Sequence, residues 1–327
     1  MRRREFFTVL GGAAAWPLSA RGQLAGLPVV GFLHTQSPDV AAENVRGFRQ
    51  GLKETGFVEG ESVTVEYRWA ENHNERLAAL ASDLVHRRVA VIVATGGIPS
   101  SMAAKDATAT IPILFMAADD PVKLGLVASL ARPGANLTGV NFLGAEIEAK
   151  RLGLLHELLP TARRVAVLVN PANAETTDAT LRDLETAARA LDLRMRVFTA
   201  GSGGQINAAF QTFARDRDEA VLVGVGPPFN GRRVQLVQLA TYYRIPTMYA
   251  GRQNVEVGGL ISYGANLPEG YRHLGVYAGR ILKGSKPGDL PVVQSTKFEL
   301  VINAETARML GLTIPPTLLA RADEVIE

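Results

Sequence analysis

Residues 91–121 read VIVATGGIPSSMAAKDATATIPILFMAADDP. The β-branched run that began at Val89 ends at Thr95, before the pair Gly96-Gly97. Residues 100–108 have a helical composition, Ile111-Pro112 interrupts them, and a second apolar run from Ile113 to Ala117 ends before Asp119-Asp120. Strand, glycine turn, helix, strand is the unit from which parallel sheets are built, because parallel neighbours need a crossover between them. Ligands bind such sheets beyond the carboxyl ends of the strands. The glycine pair is therefore either a phosphate cradle of a nucleotide enzyme or one wall of a pocket for another small molecule.

The same unit runs outward in both directions. Before it come a strand at Val29–Leu33, a helix at Val40–Glu54, a strand at Val63–Trp69 and a helix at Arg76–Arg87. In the helix at residues 40–54, Val45, Phe48 and Leu52 share one face and Gly56 ends it. The second half repeats the order: strand Arg164–Val169, helix Thr177–Leu191, strand Met195–Thr199, helix Gln205–Arg215, strand Ala220–Val225, helix Arg233–Tyr243 and strand Thr247–Tyr249. Matching elements lie about 130–136 residues apart, the size of one domain. Ile111-Pro112 and Ile245-Pro246 fall at corresponding points.

After Tyr249 the pattern changes to a strand at Gly258–Tyr263, a helix at Gly270–Leu282, a strand at Lys297–Asn303 and a helix at Ala304–Leu310. These late elements complete both halves. The expected architecture is α/β with two Rossmann-like lobes, parallel sheets, hinge segments and a cleft between them. Lobe 1 takes residues 28–143 plus about 264–294 and lobe 2 takes 144–263 plus about 295–327. The cleft walls are then the strand ends. Lobe 1 supplies Thr35, Gln36 and Ser37, then Thr95, Gly96 and Gly97, then Asp119. Lobe 2 supplies Asn170 and Asn173, Gly226, and Tyr249 and Arg252. Tyr249 and Arg252 offer stacking and a cation to an aromatic or anionic solute. Asp120, followed by Pro121, reads as a cap for the next segment, whereas Asp119 is open between a ligand contact and a structural role.

Composition narrows the function. The 327 residues are 47% apolar and 20% charged, with a formal net charge of +3 and no cysteine. Disulfides, zinc-thiolate sites and cysteine nucleophiles are excluded. No basic stripe interleaves with aromatics, so no nucleic-acid partner is expected. The five histidines have no metal-ligand spacing, and neither a nucleophile elbow nor a Walker sequence occurs, so no metal or cofactor is expected. Residues 1–22 combine Arg2, Arg3 and Arg4, an apolar stretch from Phe6 to Leu18, and the small residues Ala20 and Gly22. That is the layout of an export signal cleaved near Gly22, and Arg3-Arg4-Glu5-Phe6-Phe7 resembles a twin-arginine pattern. Export to the periplasm, which lacks nucleotide pools, favours the second reading of the glycine pair.

Together four segments resemble one family: the signal, residues 94–140 (ATGGIPSSMAAKDATATIPILFMAADDPVKLGLVASLARPGANLTGV), residues 150–173 (KRLGLLHELLPTARRVAVLVNPAN) and residues 297–326 (KFELVINAETARMLGLTIPPTLLARADEVI). It is the ABC transporter substrate-binding protein family of the type I periplasmic-binding fold. The resemblance implies a periplasmic receptor, not an enzyme. It would close over a small polar or zwitterionic solute, an amino acid or aromatic acid foremost, and deliver it as a monomer to a permease with a cytoplasmic ATPase. Members often read Gly-Ala-Asp-Pro where this chain has Gly224-Val225-Gly226-Pro227, and Arg-Glu-Phe-Val-Glu-Ala-Gly-Gly where it has residues 252–259, RQNVEVGG. Both changes remove a charge or a ring from wall positions, so no single relative's ligand carries over. A sensory receptor of the same fold, or an exported α/β hydrolase using Asp119 or Asp120, are the alternatives.

Overall fold

A computed structural model describes residues 26–142, 144–170, 174–295 and 297–327. Residues 1–22, where an export signal is expected, and Asn173 lie outside them. Lobe 1 begins with β1 (Val29–His34), α1 (Pro38–Glu54), β2 (Thr64–Trp69), α2 (Leu77–His86), β3 (Val91–Thr95), α3 (Ile98–Ala107), β4 (Ile113–Ala117) and β5 (Leu137–Asn141). Lobe 2 follows with α4 (Gly144–Leu158), β6 (Arg164–Val169), α5 (Ala174–Ala190), β7 (Arg194–Thr199), α6 (Gly203–Asp216), β8 (Ala220–Val223), α7 (Pro227–Gly231), α8 (Arg233–Tyr243), β9 (Thr247–Tyr249), α9 (Arg252–Glu256) and β10 (Ile261–Ala265). The chain then returns to lobe 1 for α10 (Leu267–Leu282) and β11 (Val293–Gln294). It ends in lobe 2 with β12 (Phe298–Asn303), α11 (Ala304–Met309), α12 (Pro316–Leu319) and β13 (Glu324–Ile326).

The strand orders are β11-β5-β4-β3-β1-β2 in lobe 1 and β13-β12-β10-β9-β8-β6-β7 in lobe 2. All pairings are parallel except β10 with β12, where the chain re-enters lobe 2 from the other direction. Strands buried on both faces read as continuous apolar runs, which is why β1, β3, β4, β6 and β8 were plain in the sequence. β5 and α4 were not, and neither were the short β11 and β13. β5 reads Leu-Thr-Gly-Val-Asn and is fully buried. Its Gly139 is backed by the Phe115 carbonyl of β4 so closely that a Cβ would overlap it, so pairing and not propensity makes this a strand. In α4, Glu148 and Arg151 are buried as an ion pair (2.5 Å), which breaks the apolar stripe by which a helix is recognised.

In lobe 1, α1 and α10 cover one face of the sheet over Phe32, Phe48, Leu114 and Leu274, and α2 and α3 cover the other over Leu84, Ile92 and Phe115. Small residues let α1 and α10 touch backbone to backbone. A Cβ on Gly51 would overlap the Arg272 carbonyl, and one on Gly275 would overlap that of Phe48. In lobe 2, Leu155, Val167, Leu222 and Ile302 form one core layer and Phe210, Phe213, Leu236 and Tyr249 the other.

The chain passes between the lobes three times, after β5, after β10 and after β11. Asn266 holds the middle crossing from both sides. Its Oδ1 accepts from the Glu269 N–H to cap α10 of lobe 1 (2.9 Å), and its Nδ2 donates to Glu299 of lobe 2 (2.6 Å).

Candidate functional site

The carboxyl ends of the two sheets face each other. Where they meet, Gly231 at the end of α7 lies against lobe 1: a Cβ there would be 3.8 Å from Asn72 Nδ2 and 3.9 Å from Gln36 Nε2. A pocket of about 30 Å³ lies between the lobes, with Gln36, Glu43 and Asn44 on one side and Asn230, Arg233 and Asn254 on the other. That is room for about one water, so a larger solute enters only if the lobes part.

Lobe 1 builds its wall from interlocked turns. Thr35 Oγ1 donates to the Gly96 carbonyl (2.6 Å), tying the end of β1 to the end of β3. Gly96 (φ 85°) and Gly97 (φ 131°) both take left-handed backbone, and a Cβ on Gly96 would overlap Thr35 Oγ1 and the His34 ring. Ser100 Oγ closes the turn on the Thr95 and Gly97 carbonyls (2.7 and 2.8 Å). Asn141 does the same for β4, donating to the Ala117 and Asp119 carbonyls (3.2 and 2.6 Å). Asp120 caps its turn through the Val122 N–H (2.9 Å), as the order Asp-Pro suggested. Ser37 occupies the N-cap of α1 but makes no side-chain cap bond.

Behind these turns stands an aromatic group. The ring of His34 stacks on Phe32 (6.1 Å), tilts against Trp69 (5.4 Å) and stacks on Tyr271 (6.5 Å). His34 Nδ1 accepts from the Gln36 N–H (3.0 Å), so the ring proton sits on Nε2 and points at Tyr271 Oη (3.1 Å). Burial pulls the His34 pKa down to about 3 and pushes the Tyr271 pKa up to about 12. Both groups are therefore neutral near pH 7 and add no charge behind the lobe 1 wall.

The lobe 2 wall consists of amides and short helices. Gly226 is buried at the start of α7, where a Cβ would lie 3.2 Å from Asn170 Nδ2, so two candidates from distant parts of the sequence lie side by side. Tyr249 is a correction. It is 1% exposed and packs in the core with Phe210 and Leu236, because its side chain points into the layer under α6 and α8 and not out of the strand end. Arg252 is a second correction. Its guanidinium is engaged by Glu256 (2.7 Å), Glu299 (3.4 Å) and Glu324 (2.7 Å), and these carboxylates, Glu256 first, hold its pKa well above the usual value. It ties α9 to β12 and β13.

Sequence reading passed over Trp69, Asn72 and Tyr271 in lobe 1 and Arg233 in lobe 2, whereas Asn230 closes the strand-end loop that begins at Gly226. Trp69 and Asn72 follow the same strand-end rule that found Thr35 and Gly96, applied to β2. Tyr271 was visible only as one apolar residue of a helix face. Among the described residues, no group of three or more acidic or histidine side chains is placed to hold a metal ion.

Two parallel-sheet lobes joined by three crossings, with a polar pocket where their carboxyl edges meet, define a protein of the type I periplasmic-binding fold. The chain belongs to the ABC transporter substrate binding protein family, whose profile matches residues 30–326. It is similar to a tyrosine-binding protein of Clostridioides difficile (strain R20291), 26% identical over 272 residues that cover 82% of this chain and 76% of that protein. Its fold matches a Streptococcus pneumonia ABC domain in complex with L-Trp, with a TM-score of 0.83, 24% identity, and coverage of 92% and 100% of the two chains. A ligand-free, open substrate binding protein from Clostridium difficile superposes less well, with a TM-score of 0.67 at 24% identity and coverage of 92% and 99%.

Proposed function

We propose that this protein is the periplasmic solute receptor of an ABC importer. It takes up a small zwitterionic or polar solute, with aromatic amino acids first, and delivers it to a permease driven by a cytoplasmic ATPase. The observation that carries the reading is the interlobe pocket, where Glu43 of lobe 1 and Arg233 of lobe 2 stand among the amides of Gln36, Asn44, Asn230 and Asn254. A carboxylate and a guanidinium on opposite lobes complement a zwitterion, and a solute that touches both lobes stabilises the closed state by its differential affinity. The Asn44 Oδ1 is buried without a partner among the described residues, which leaves an acceptor for a solute donor. Trp69 packs on the His34 ring, which is bonded to the backbone of the pocket residue Gln36, and the relatives that bind tyrosine and L-Trp support the aromatic class. The backbone turn at Thr95, Gly96 and Gly97 is the lobe 1 clamp. Export through the signal at residues 1–22 and a monomeric state belong to the same proposal.

The chain holds two tryptophans, Trp16 and Trp69. In a Trp16→Phe protein, L-tyrosine binding should change the emission of Trp69 saturably, and Arg233→Gln should weaken it at least tenfold, about 1.4 kcal/mol or more. Unchanged emission with L-tyrosine, L-tryptophan analogues and other amino acids, with no heat of binding, would reject the amino-acid reading.

A further inference from the structure

Lobe 2 contains a cavity of about 290 Å³ that is separate from the cleft. It lies between α8, β9 and α11, toward the amino ends of β9 and β10, whereas the cleft lies at the carboxyl ends. None of its lining residues lines the interlobe pocket. Its walls combine the apolar Val237, Ala240, Ile245, Leu260 and Leu310 with Thr241, Thr247 and Thr306.

Two polar groups stand out. The Tyr249 hydroxyl is fully buried and makes no hydrogen bond of normal geometry among the described residues, with the Thr247 hydroxyl beside it at most a weak contact. The neighbouring Thr247 hydroxyl already donates to the Ile245 carbonyl (3.0 Å), and Thr306 Oγ1 donates to the Gly258 carbonyl (2.9 Å). A buried hydroxyl left without a partner is costly, and a tyrosine at this depth would ordinarily have been bonded or replaced by phenylalanine. Arg244, also in the lining, is exposed and pairs with no carboxylate among the described residues. Its place after α8 suits the helix dipole, which explains a cation there but neither the cavity nor the orphaned phenol.

We propose that this cavity is a second ligand site. It takes a small carboxylate with an apolar body and a hydrogen-bonding group at its far end. The carboxylate meets the Arg244 guanidinium, the body fills the space beside Ala240 and Leu260, and the far group satisfies the Tyr249 hydroxyl. The volume is at the lower bound of small-molecule pockets, which limits the ligand to about one ring or a short aliphatic chain.

The probe is 4-hydroxybenzoate, titrated calorimetrically into the full chain. The expected result is a saturable site that disappears in Ala240→Phe, weakens at least tenfold in Arg244→Gln, and is unchanged in the cleft variant Arg233→Gln. Arg244 is exposed, so its variant keeps the test valid if Ala240→Phe does not fold. The absence of saturable binding to the wild type overturns the proposal. So does binding that survives Arg244→Gln unchanged, or binding lost in Arg233→Gln, which would place the ligand in the cleft.

Discussion

The two lobes share a plan of strands and differ in how their helices close over them. In lobe 1, α1 and α10 meet through Gly51 and Gly275 with no room for a methyl group. In lobe 2, a space of about 290 Å³ stays open between α8, β9 and α11. The cleft walls differ in the same sense. Lobe 1 presents a locked, neutral aromatic wall, and lobe 2 presents amides on the short helices α7 and α9. The comparison separates a lobe 1 packed backbone to backbone from a lobe 2 that keeps open space and short amide-bearing helices.

The largest effect should come from breaking the helix contact of lobe 1. Gly51→Leu or Gly275→Leu forces α1 from α10 and should cost about 3–5 kcal/mol in urea unfolding, at the upper end for single substitutions. Gly153 of α4 meets nothing within 4 Å, so Gly153→Ala should be neutral or stabilising by up to about 1 kcal/mol. Equal losses at the two kinds of site would dissolve the contrast.

Next is the wall itself. His34 is neutral and buried, with its pKa lowered to about 3 from 6.5. The unfolded chain takes up a proton below pH 6.5 and the folded chain does not until near pH 3, so its contribution is present above 6.5 and lost as pH falls. Stability should drop by about 2–3 kcal/mol between pH 6.5 and 4.5 through this group. His34→Gln should flatten that part of the profile, and an unaltered slope would remove His34 from the account.

Smaller effects are expected in lobe 2. Arg252→Met leaves Glu299 half-paired, still held by Asn266, and should cost about 1–2 kcal/mol without a tenfold change in solute affinity. A larger loss of affinity would return Arg252 to the cleft. Ser202 and Gln205 form a capping box at α6, and Ser202→Ala should cost about 1 kcal/mol, read by the same unfolding curves.

Much of this was legible in the sequence, for reasons visible in particular residues. Doubly buried strands announce themselves as apolar runs, so most of both sheets could be read directly. β5 could not, because Thr138, Gly139 and Asn141 are strand residues only by virtue of what lies against them. Strand ends led to Thr35, Gly96, Asn170 and Gly226, since position along a parallel sheet is a sequence property. Side-chain direction is not, and Tyr249, at the end of a three-residue strand, points inward. Nor are the partners of a charge: Arg252 meets carboxylates 4, 47 and 72 residues away.

The central claim is that solute binding and lobe closure are one event. With no cysteine in the chain, spin labels at His73→Cys in lobe 1 and Arg232→Cys in lobe 2 report the distance across the cleft without background. Saturating L-tyrosine or L-tryptophan should collapse a broad distribution of separations onto its short end. A distribution that stays the same while calorimetry records saturated binding would contradict the claim.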